Sequence, residues 1–207
     1  MSIIAQLATS LGRRDEVPNQ ELAAQIAKTS NKKAIGELVE NLSNKSKDIQ
    51  HDCIKTLYET GSLKPALILP YFNDFIRLLG SKNNRLQWGA MAALDQIAAE
   101  DPGTTFQSLP ALAAAADSGS VITRDHFVSI LIKLCADKPY AADAFALLNE
   151  QLRNCPANQL PMYAENALPI INESNKAAFM QTLAARLNDF EKESKRKRVE
   201  KILTKIR

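Results

Sequence analysis

Apolar residues recur along this chain at helical spacing, and the spacing itself repeats. The clearest stretch runs from Arg85 to Glu100, where Leu86, Ala90, Leu94 and Ile97 fall at steps of four, four and three and share one side of a helix. Ala92, Asp95 and Glu100 fall elsewhere on the wheel. The same stripe predicts a helix starting at Pro18 and helices over 31–42, 48–60, 70–79, 106–116, 121–136, 140–152, 158–171, 175–190 and 194–206, with a short first helix over 2–11 ended near Gly12. Pro18 suits a first turn, Gly61 reads as a stop, and Asp101-Pro102-Gly103 breaks the chain between helices.

The helices come in pairs with a countable period. The central leucines of successive second helices are Leu57, Leu94, Leu131, Leu168 and Leu203, spaced by 37, 37, 37 and 35 residues. Four residues before each stands Cys53, Ala90, Phe127, Ala164 or Val199. Three residues after each stands Thr60, Ile97, Leu134, Ile171 or Ile206. One helix pair cannot bury such a stripe alone, whereas stacked neighbours make a continuous core. The predicted fold is all-α: a right-handed α-α superhelix, or solenoid, of about five helix pairs. Its pairs span 31–61, 64–100, 104–137, 138–172 and 175–207, with cap helices over 1–30, and all form a single solenoid domain over 1–207.

The stretch Leu86-Gln87-Trp88-Gly89-Ala90-Met91-Ala92-Ala93-Leu94-Asp95-Gln96-Ile97-Ala98 resembles the second helix of a HEAT repeat. Tyr163-Ala164-Glu165-Asn166-Ala167-Leu168 is a shorter echo, and Pro110 in Leu109-Pro110-Ala111-Leu112 resembles the proline of a HEAT first helix. The resemblance covers roughly 31–207 and extends to small stand-alone prokaryotic HEAT-repeat proteins, for which the family implies no settled activity. An arginine seven residues before the central leucine is favoured in the family. Here Arg124 and Arg196 supply it, while Gln50, Gln87 and Pro161 stand at the equivalent positions.

Composition narrows the function classes. Among 207 residues, 45% are hydrophobic, and glycine and proline are sparse. The net charge of +3 argues against a general nucleic-acid coat. The charge is concentrated, however, since residues 191–207 hold eight basic and three acidic side chains. Cys53, Cys135 and Cys155 form no Cys-x-x-Cys pair, which speaks against a disulfide scaffold or zinc site and for a reducing cytoplasm. No apolar run has secretory or membrane-spanning length. A soluble cytoplasmic protein is expected, without metal, cofactor or membrane partner.

Candidate catalytic chemistry is thin. His51 and His126 are the two histidines, two repeats apart, and neither faces its sequence neighbour Asp52 or Asp125 on a helix. There is no glycine-rich phosphate loop or nucleophile elbow. HEAT-like alkylpurine DNA glycosylases provide an enzymatic precedent on this architecture, using tryptophans and a carboxylate in a basic cleft. Such an enzyme is the third reading.

The leading expectation is a non-catalytic protein- or peptide-binding scaffold. In HEAT families the second helices line the concave surface, and the unburied positions there lie nine, six and two residues before each central leucine. They supply the candidate partner-binding set: His51, Lys55, Arg85, Trp88, Ile122, Asp125, Met162 and Asn166. Ala92 falls on the same side. Trp88 is expected either to anchor a partner groove or to tilt into the junction between repeats. The alternative is phosphate binding, as in nucleic acid, by Lys195, Arg196, Lys197, Arg198 and Lys201 on the last helix. The competing expectation for that helix is a solvated basic cap.

Overall fold

The computed structural model describes residues 2–206. These residues contain twelve α-helices, several short 3-10 turns and no strand. The chain divides into two compact units, Met1–Phe127 and Val128–Arg207.

In the first unit a 3-10 turn at Ile3–Gln6 replaces the first predicted helix, and Gly12 closes the following turns with φ +69. Helix α1 (Val17–Thr29) follows, then α2 (Lys32–Glu40), α3 (Lys47–Leu63), α4 (Phe72–Leu78) and α5 (Asn84–Ile97). α3 packs between α1 and α5, while α2 lies against α3 and α4 against α5. The unit thus has two layers, with α1, α3 and α5 in one and α2 and α4 in the other. The predicted helix over 106–116 is instead two, α6 (Pro102–Gln107) and α7 (Leu109–Ser118), ahead of α8 (Val121–Cys135), within which the first unit ends at Phe127. Pro110 has no N–H to continue a helix from α6, so α7 starts afresh with this proline in its first turn.

Local chemistry sets these limits. Asn31, Ser46, Asn83 and Asp101 each cap a helix start by accepting from a backbone N–H within the first turn. Gly61 is a correction: α3 runs past it to Leu63. A side chain there would collide with Ile68 and crowd Gln96, so glycine serves close approach rather than termination. Gly89 in α5 plays the same part, because an added Cβ would lie 2.6 Å from Ile54 Cγ1 on α3.

The second unit contains α9 (Ala141–Asn154), α10 (Leu160–Ala167), α11 (Lys176–Ala185) and α12 (Glu193–Lys205). α9 packs on α11 and α10 on α12, and α11 also meets α12. This is again a two-layer order.

The predicted register places the core closely. Cys53, Leu57, Ala90, Leu94, Phe127, Leu131, Ala164, Val199 and Leu203 are all buried. Leu168 departs from it: α10 ends at Ala167, and Leu168 sits half-buried in a 3-10 turn at Leu168–Ile170. Pro169 offers no N–H for another α-helical bond, so the stripe loses its last turn. Ile171 and Ile206 are likewise only half-buried.

In the first three pairs, position seven before the central leucine has a shared structural task, whereas Pro161 has no donor and Arg196 pairs with Glu200. Gln50 Nε2 donates to Asn44 O at 2.7 Å and Gln87 Nε2 to Leu79 O at 2.9 Å. Arg124 Nη2 reaches Ala116 O at 3.5 Å. Each side chain turns back to a carbonyl near the end of the helix preceding its own, a group without an intrahelical partner. Two glutamines and one arginine thus fill the same role.

Candidate functional site

The site builds up from the adjacent helices α3 and α5. Seen from Leu57 and Leu94, Lys55, His51, Arg85 and Trp88 fall on the side away from the shared core, and the cap folds back over that side. Trp88 stays half-buried and stacks at a tilt against Tyr58 of α3, with ring centroids 5.8 Å apart at 50°. Arg85 places its guanidinium carbon 5.7 Å from the centroid of the Trp88 ring, and Lys55 Nζ lies 5.0 Å from that of Tyr58. Two cations and two aromatic rings thereby form one cluster.

Glu16, in the exposed turn before α1, closes the cluster. Its carboxylate accepts from Lys55 Nζ at 2.8 Å and from Arg85 Nη2 at 2.5 Å. Lys55 also pairs with Glu59 at 2.6 Å, one turn further along α3. Hydrogen bonding from Lys55, supported by Arg85, holds the Glu16 carboxyl below its ordinary value of 4.5. Burial works against the Lys55 charge, but donation to Glu16, Glu59 and Tyr58 outweighs it and raises the ammonium pKa. Burial pushes the Tyr58 phenol up.

Lys55 therefore departs from the sequence expectation: it is 6% exposed, not an open surface cation. Ala92 is also buried, at 2%. The open side is narrower than an isolated helical wheel predicts, because Glu16 and Tyr58 cover part of it.

Beside the cluster opens a cavity of about 480 Å³ whose charged lining is Arg13, Arg14 and Arg85 together with Asp15, Glu16, Asp48 and Asp52. His51 Nε2 lies 3.1 Å from the Asn83 side-chain amide. On the far wall Asp52 accepts from Thr9 N and from Asn19 Nδ2, both at 2.7 Å, and so ties the cap to α3. Neither the Glu16 bridge nor the Asp52 anchor was legible beforehand, since both depend on where the cap turn lands.

The remaining candidates fall elsewhere. Ile122 is exposed at the start of α8 and Asp125 is half-buried. His126 Nδ1 lies 2.9 Å from Asp95 Oδ2 of α5, a pairing that adjacency with Asp125 had concealed. In the second unit Met162 is half-buried and Asn166 exposed on α10. Among the described residues no group of three or more His, Cys, Asp or Glu side chains could hold a metal ion. Burial, joined for Cys53 by nearby Asp52 and Glu37, pushes the Cys53 and Cys135 thiols up to about 12, far from a reactive thiolate.

The basic helix is largely paired. Arg198 makes a two-pronged contact with Glu165 at 2.8 and 2.5 Å, and this bonding lowers the Glu165 pKa. Arg196 pairs with Glu200, Lys197 with Glu193 at 3.8 Å, and Lys195 donates to Asn158 O. Lys201 is exposed.

No family model and no curated protein matches this chain. Solved structures do. Three crystal structures of engineered proteins from the Northeast Structural Genomics Consortium share its fold. One, with 19% identity and a TM-score of 0.62, aligns over 100% of this chain and 99% of its own. A second has 19% identity, a TM-score of 0.56 and coverage of 100% and 97%. The third has 18% identity, a TM-score of 0.54 and coverage of 99% and 57%. Together with the helix content they define the chain as an all-helical protein of that fold. Among the described residues no helix is long and apolar enough to cross a membrane.

Proposed function

We propose that the helix pairs are HEAT-like repeats of an α-solenoid, and that the protein is a non-catalytic binding module holding a protein segment on the second-helix face of its first unit. The repeated use of Gln50, Gln87 and Arg124 for one carbonyl-capping task supports the repeat register. The observation that carries the binding reading is the Trp88–Tyr58–Arg85 cluster, a half-open aromatic pair flanked by a guanidinium. Such a group suits an interface anchor, because Trp, Tyr and Arg give large contact area with few rotors to freeze. Exposed Ile122 offers apolar area on α8 of the same unit.

Phosphate binding through α12 is the weaker reading. Arg196 and Lys197 pair with Glu200 and Glu193 of α12 itself and Arg198 with Glu165 of α10, so three of its cations already have carboxylate partners, and Lys195 donates to the Asn158 carbonyl.

A display selection of peptides against the intact protein, repeated with Trp88→Ala as counter-target, tests the reading. It predicts enriched segments that bind the wild type and are lost from the variant. Enrichment that is identical on both proteins contradicts it, as does a ligand that depends only on Lys197 and Lys201.

A further inference from the structure

The cluster around Trp88 is already occupied by a carboxylate of the same chain. Lys55 and Arg85 bring two positive charges to it, and Glu59 and Glu16 bring two negative ones. Glu59 belongs to α3 itself. Glu16 is reached from another element, through a turn in which Arg13, Arg14, Asp15 and Glu16 are all exposed. If the Glu16 side chain swings out, the cluster keeps an excess of one positive charge beside a half-open tryptophan. An uncompensated cation beside low-dielectric surface draws a carboxylate strongly.

Two further observations separate this arrangement from a simple staple. First, the cap does not depend on Glu16. Asp52 holds Thr9 and Asn19, Asn19 Oδ1 accepts from Ala8 N, and Leu7, Leu22, Ala23 and Ile26 are buried. The Glu16 side chain keeps 45% of its exposure, so it can leave while the cap stays. Second, Glu16 satisfies the Arg85 fork incompletely. It meets Nη2, whereas Arg85 Nε is buried with no hydrogen-bond partner. Guanidinium groups are best met by two oxygens along one edge, and Glu16 supplies one to Arg85.

We propose that Glu16 is a resident stand-in for a carboxylate of the partner segment: the first unit binds an acidic peptide with an apolar neighbour on Trp88, and its own cap turn competes for Lys55 and Arg85. This rests on the binding reading above and adds to it the chemistry of the partner and a built-in competitor.

Fluorescence anisotropy on the full chain tests it, using a fluorescein-labelled peptide of alternating Glu and Leu, and its Gln-Leu counterpart as control. Glu16→Gln should bind the acidic peptide about tenfold more tightly than wild type, because the competing carboxylate is gone. Adding Arg85→Gln should remove that gain, and the Gln-Leu peptide should not discriminate among the proteins. Circular dichroism melting of each variant establishes that it is folded. Equal affinity of wild type and Glu16→Gln for the acidic peptide overturns the proposal, as does equal binding of both peptides. A gain that survives Trp88→Ala keeps the carboxylate site and removes the Trp88 groove. Selected ligands that need Trp88 but carry no acid keep the groove and remove the carboxylate site.

Discussion

Lys55 shows how one side chain changes meaning between sequence and fold. On a helical wheel it faces outward, yet its side chain is 8% exposed and bridges two carboxylates. Breaking a buried pair from one side costs far more than removing the buried charge itself. Lys55→Met should therefore stay within about 1 kcal/mol of wild type, since Glu16 and Glu59 both keep access to water. Glu16→Gln combined with Glu59→Gln strands the ammonium and should cost about 3 to 5 kcal/mol, read from urea midpoints at unchanged slope. The pH dependence follows from the lowered Glu16 pKa. A depressed carboxyl stabilises the fold above its ordinary value of 4.5, and that contribution is lost as pH falls through the folded-state value. Acid denaturation profiles should thus be shallower for Glu16→Gln than for wild type below about pH 4.5.

At the scale of elements, α3 and α5 depend on a glycine contact. Ala is a better helix former than Gly by about 1 kcal/mol, so Gly89→Ala would stabilise an isolated α5. In the protein the new methyl meets buried Ile54 at 2.6 Å, and overpacking of this kind costs about 1 to 3 kcal/mol. The close approach decides the sign: thermal melts should show Gly89→Ala less stable than wild type. The cap makes a second case. Asp52→Ala removes the acceptor of Thr9 N and of the Asn19 amide, and hydrogen bonds to charged groups contribute about 1.5 to 3 kcal/mol. Hydrogen exchange at the Thr9 amide should accelerate strongly while exchange in the middle of α5 changes little.

Across the molecule, the all-helical class and most of the core were legible because the 37-residue period repeats the same buried triplet. Leu57, Leu94 and Leu131 sit where that period puts them. Leu168 does not, although the signal was present in Pro169, which ends α10 before the stripe is complete. Gly61 was misread as a stop because its role is a contact with Ile68 and Gln96, and such contacts leave no trace in local sequence. The candidate site was half legible. Trp88, Arg85 and His51 were found by register, whereas Glu16, Tyr58 and Asp52 were missed because they join through tertiary placement. Leu94→Ala should cost about 2 to 5 kcal/mol in urea unfolding, as expected for a fully enclosed leucine in a close-packed layer.

The binding claim rests on Trp88, and the most direct measurement is the affinity of a selected peptide for wild type and for folded Trp88→Ala at low and high salt. The account predicts a loss of about tenfold or more in the variant, with affinity persisting as salt is raised. Unchanged affinity in Trp88→Ala, or binding that collapses with salt and follows Lys197 and Lys201, would contradict it.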